Sequence, residues 1–88
     1  MARRRDDNVI KDAEYVTIGE LVRLSGMRYS TLKYYTEEGL IEFSQEEENL
    51  TRRYHRASAL NRIVEISDLR NSNKSISEIK EILGVKNE

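Results

Sequence analysis

Arg28, Tyr29, Ser30, Thr31, Lys33 and Tyr34 crowd two cations, two phenols and two aliphatic hydroxyls into one short stretch. Such groups donate hydrogen bonds and carry positive charge, the chemistry of anion recognition. Arg52, Arg53 and Tyr54 repeat the combination further along. Covalent chemistry is poorly provided for. Ser30-Thr31-Leu32-Lys33 and Ser77-Glu78-Ile79-Lys80 match the Ser-x-x-Lys spacing of some acyl enzymes. Chance produces such matches in a chain rich in Ser and Lys, and 88 residues leave no room for a deep substrate cavity. The absence of Cys excludes thiolate catalysis, Cys-ligated zinc and disulfide scaffolds. His55 is the single His, and the Glu46-Glu47-Glu48 run lacks the alternating pattern of a calcium loop. No catalytic residue, metal or cofactor is expected, and an enzyme is the least favoured class.

Charge placement bears on the anion partner. The chain holds 15 Lys+Arg against 16 Asp+Glu, a net charge of -1 that alone argues against a polyanion. The balance is uneven: residues 1–35 sum to +2, residues 36–50 to -6 and residues 51–88 to +3. An acidic middle block thus masks two basic flanks, and local placement decides what a polyanion meets. A mixed, solvated surface would show the same sums. No apolar run approaches a membrane span of ~18 residues, and the N-terminus lacks the apolar stretch of a signal peptide. The expected location is cytoplasmic, without membrane association.

The elements that must position these residues are read from helix punctuation. Residues 1–14 are polar and read as a flexible basic arm. Thr17-Ile18-Gly19-Glu20 is a capping box opening a helix with Leu21, Val22 and Leu24 inward, and Ser25-Gly26 ends it. A second helix from about Tyr29 to Glu38 faces Leu32 and Tyr35 inward, with Gly39 as its stop. Leu40-Ile41-Glu42-Phe43 alternates as a strand does, and with Leu50 to His55 it predicts a two-stranded hairpin with an acidic tip. A third helix follows, capped near Ser58 and broken at Asn71-Ser72-Asn73. Ser75-Ile76-Ser77-Glu78 is a second capping box, opening a fourth helix that Gly84 ends. The order predicts a mainly α fold: helix-turn-helix, two-stranded wing, then a helix pair, over residues 15–85, with 86–88 as a tail.

These pieces resemble the DNA-binding head of the MerR family of transcription regulators. The resemblance rests on Tyr15-Val16-Thr17-Ile18-Gly19-Glu20-Leu21, Ser25-Gly26-Met27, Thr31-Leu32-Lys33-Tyr34-Tyr35, Gly39-Leu40-Ile41, Arg52-Arg53-Tyr54 and Ser75-Ile76-Ser77-Glu78-Ile79-Lys80. Their order and spacing are more specific than any fragment. The family pattern differs at Lys33 (Arg is usual), Thr36 (Glu), Arg28 (a Ser or Thr cap), Phe43 (Pro) and Asn73 (Gly).

The resemblance implies sequence-specific binding of double-stranded DNA by a nucleoid-associated regulator of bacterial type. The second helix would enter the major groove, where Arg28 and Lys33 could reach guanine O6/N7 or phosphates. Tyr29, Ser30, Thr31 and Tyr34 would join them, with Thr17 at the first helix. By resemblance Arg52 is the wing Arg and Tyr54 the wing Tyr. Adjacent strand residues face opposite ways, so one of Arg52 and Arg53 would meet DNA. Tyr54 could equally pack the wing onto the domain. The arm Arg3-Arg4-Arg5, Arg56 and Arg62 are either further phosphate contacts or plain surface charge. The acidic tip is expected to point away from DNA.

Family members usually continue into a long helix that pairs two subunits, and the sequence to Glu88 shows no heptad run. Association as a homodimer or side by side on DNA stays open, and no small-molecule effector is expected within this chain. Two other uses of the fold also stay open: an excisionase-like or DNA-segregation protein, and a helical protein-interaction module without DNA binding.

Overall fold

The computed structural model describes residues 5–47 and 50–85. Its elements in chain order are α1 (Asp7–Ile10), β1 (Tyr15–Val16), α2 (Ile18–Ser25), α3 (Tyr29–Glu37), β2 (Tyr54–His55), α4 (Arg56–Asn71) and α5 (Ile76–Leu83). The architecture is mainly helical, with one two-stranded antiparallel sheet, as a winged helix-turn-helix requires.

The capping boxes form as their sequences dictate. Thr17 Oγ1 accepts from the Glu20 N–H and the Glu20 carboxylate accepts from the Thr17 N–H, and Ser75 and Glu78 repeat this at α5. Each exchange satisfies two backbone donors that would otherwise lack partners. Gly26 ends α2 at φ 73°, a left-handed conformation that costs glycine little. Three residues later, at Tyr29, α3 starts. Beyond α3, the Gly39 N–H donates to the Thr36 carbonyl and the Leu40 N–H to the Tyr35 carbonyl. That is a Schellman closure, and Gly39 supplies the positive φ it needs.

The core gathers Leu21 of α2, Leu32 and Tyr35 of α3, Leu40, Ile41, Tyr54, Ile63 and Ile66 of α4, and Ile79 of α5. The α2 and α3 pair is thereby held on a platform of α4 and α5. Lys80 of α5 also pairs with Glu38 just past α3, at 2.6 Å.

Three expectations are corrected. The hairpin between residues 40–43 and 50–55 is reduced to one antiparallel bridge, with no strand over residues 40–43. Leu40 and Ile41 are both buried, which alternation on a strand forbids, because the Schellman turn carries both into the core. The strand partner of Tyr54-His55 is instead Tyr15-Val16, and the wing is closed by a single bridge between Ser44 and Arg53. Its two hydrogen bonds measure 2.7 and 2.8 Å. Secondly, α4 starts at Arg56 rather than near Ser58, because His55 serves as its cap: Nδ1 accepts from the Ser58 N–H at 3.3 Å.

Thirdly, the segment before residue 15 is not simply a flexible arm. Ile10 is fully buried, Arg5 forks onto Glu20 at 2.7 and 2.8 Å, and Arg23 pairs with Asp7. Arg56 Nε donates to the Ala13 carbonyl at 2.7 Å and its backbone N–H to the Glu14 carbonyl. One apolar side chain and three arginines thus fasten the segment to α2 and α4. Arg3 and Arg4 lie outside the described residues.

Candidate nucleic-acid interface

The start of α3 differs from the starts of its neighbours. Both α2 and α5 close their N-termini with a capping hydroxyl and a glutamate. Arg28 holds the cap position of α3 with no side-chain hydrogen bond, and the first turn has no acidic residue. The positive end of the helix dipole is therefore left open, beside a cation.

The side chains around it are presented outward. Arg28, Tyr29, Ser30, Lys33 and Tyr34 are exposed, Tyr29 to 53% and Tyr34 to 46%, and Thr31 is half-buried. The opposite face carries Leu32 and Tyr35 into the core, as the helical period predicts. Ion pairing spares the outward set. The carboxylate-paired cations among the described residues are Arg5, Arg23 and Lys80. Arg28, Lys33, Arg52 and Arg53 form no ion pair with a described carboxylate.

A shallow groove of about 300 Å³ joins Ser30, Thr31, Tyr34 and Tyr35 to Arg70 of α4 and Ile76 of α5. Arg70 is a cation beside α3 that sequence reasoning missed. Its only signal is its place before the Asn71-Ser72-Asn73 break, and its proximity to α3 is a product of tertiary packing.

The wing residues separate. The Arg52 guanidinium lies over the Phe43 ring, 4.5 Å from its centroid. Arg53 is exposed and lines a groove with Arg5, Tyr15 and Thr17. The two arginines thus lie against different neighbours. Thr17 serves first as a helix cap, with Oγ1 3.2 Å from the Glu20 nitrogen. Tyr54 is corrected from a DNA-facing residue to a core residue. It is 1% exposed, and its hydroxyl lies 3.0 Å from Thr36 Oγ1. Of the further arginines, Arg5 and Arg56 are engaged within the protein, and Arg62 lines a groove with Glu42, His55 and Glu65. Glu46 and Glu47 are exposed on the wing loop, and Glu48 lies outside the described residues.

Among the described residues no cluster of His, Cys, Asp or Glu could hold a metal ion. No described helix is long and apolar enough to cross a membrane. A search of the curated proteins finds no match to the chain. A scan against protein-family models matches residues 16–85 to the MerR HTH family of regulatory proteins. The match runs from β1 to the end of α5 and takes in both helices of the helix-turn-helix. With the capped α2, the open cationic α3 and the bridged wing, the chain belongs to the MerR helix-turn-helix family, whose members are DNA-binding regulators of transcription.

Proposed function

We propose that this head binds double-stranded DNA sequence-specifically, with α3 in the major groove and the wing on the backbone, to regulate transcription. The observation that carries the reading is the uncapped N-terminus of α3, flanked by exposed Arg28 and Lys33 with no carboxylate partner among the described residues. An α-helix fits the major groove, and an open helix N-terminus favours phosphate. Arg28, Tyr29, Ser30, Thr31, Lys33 and Tyr34 are the groove-facing set. Arg52 and Arg53 approach phosphates from the wing, and Thr17 adds a hydroxyl at α2. Arg70 extends the set along the α3 groove. The head acts by binding and carries no catalytic step.

Fluorescence anisotropy on mixed-sequence duplexes over a range of salt tests this. Each neutralised phosphate contributes about -0.9 to the slope of log K against log salt, so a head making several contacts loses affinity steeply. Undetectable binding at low salt, or binding indifferent to salt, contradicts the reading. Light scattering with and without duplex reports whether heads associate side by side on DNA.

A further inference from the structure

A continuous line of contacts runs from the wing to the recognition helix. The Arg52 guanidinium carbon lies over the Phe43 ring, 4.5 Å from the centroid. The Phe43 ring meets the Tyr54 ring with centroids 6.2 Å apart. The Tyr54 hydroxyl reaches Thr36 Oγ1 at 3.0 Å, in the last turn of α3. Thr36 has one hydroxyl proton, and it goes to the Leu32 carbonyl at 2.8 Å. Tyr54 is therefore the donor and Thr36 the acceptor, so the direction of the link is fixed. Tyr54 and Thr36 are buried, whereas Phe43 is 39% exposed.

Phe43 packs against Tyr54 on one side and leaves the rest of its ring exposed. That exposed ring gives the Arg52 guanidinium a cation–π contact. The N–H edge makes no hydrogen bond or ion pair with the described residues and stays available to an anion. A stacked guanidinium has less freedom to lose when it forks onto a phosphate. We infer that Phe43 is a positioning residue: it fixes Arg52 for a backbone phosphate, at a place set relative to α3 through Tyr54 and Thr36. This rests on the DNA-binding reading above.

The test is a double-mutant cycle read by anisotropy at fixed low salt, using Phe43→Leu, Arg52→Ala and both together. Leucine keeps apolar contact with Tyr54 and removes the π face. Phe43→Leu weakens binding about three- to fivefold, the cost of ordering one long side chain at the interface. In the Arg52→Ala background the same change has no further effect, because Phe43 acts through Arg52. Phe43→Tyr restores wild-type affinity. Equal losses from Phe43→Leu in both backgrounds, or none in either, overturn the inference while leaving DNA binding intact. Wild-type affinity in Arg52→Ala removes the wing contact and the inference with it, whereas absence of binding in the unmutated chain removes the DNA reading itself. A second readout needs no variant. The Arg52 side-chain protons of the free protein should show upfield ring-current shifts, and their absence also overturns the stack.

Discussion

Glu20 shows how far one residue can serve both local and long-range structure. It completes the α2 capping box and also receives the Arg5 fork. The Arg5 hydrogen bonds lower its pKa from the ordinary 4.5 to about 2, against the opposing effect of burial. A lowered carboxylate pKa stabilises the fold above the unfolded value and loses that contribution as pH falls through the folded value. The contribution is thus complete above about pH 4.5 and gone near pH 2. Glu20→Gln should cost on the order of 2 kcal/mol at neutral pH, the exposed side of Arg5 being screened. Urea melts of both proteins should converge as pH falls through that window, and a gap that stays constant contradicts the ion pair. The capping half of this role is legible in Thr17-Ile18-Gly19-Glu20, because its partners are three residues apart. The Arg5 half is not, since no local pattern links residues 5 and 20. Tyr54 shows the same limit: the sequence allows packing or DNA contact, and only the Thr36 hydroxyl decides between them.

At the scale of elements, α2, α3 and α5 follow their punctuation closely, because caps and glycine stops act within one turn of chain. The wing does not. Leu40 and Ile41 have a strand-like alternation with Glu42 and Phe43, yet the turn after α3 buries both. Pairing of Tyr15-Val16 with Tyr54-His55 joins segments far apart in sequence, which no local pattern announces. The open start of α3 yields a prediction in which stability and function move oppositely. Arg28→Asp supplies the missing cap and should stabilise the protein by about 0.5–2 kcal/mol. The same change places negative charge where a phosphate is proposed to sit, so affinity for duplex should fall at least tenfold. Thermal melts and anisotropy on the same sample check both. A variant that binds DNA as well as the parent shows that the α3 N-terminus does not meet phosphate. Gly26→Ala, forced to a positive φ with space around it, should cost about 1 kcal/mol.

For the whole molecule, the net charge of -1 conceals a division that the fold preserves. Among the described residues, intramolecular ion pairs consume Arg5, Arg23 and Lys80, and the cations of α3 and the wing have no carboxylate partner. The rigidity behind that surface comes from one small core. Ile66 is fully buried in α4, so Ile66→Ala should cost about 2–5 kcal/mol, a large share of what so small a domain possesses. A urea midpoint close to that of the parent contradicts this placement of the core. The central claim concerns which surface meets DNA, and amide chemical shifts of the ¹⁵N-labelled protein titrated with a short duplex report it directly. The account predicts the largest changes over Arg28 to Tyr34 and at Arg52 and Arg53, with little change along the outer face of α4 at Val64. Changes concentrated at Val64 and the wing glutamates, with α3 silent, would contradict it.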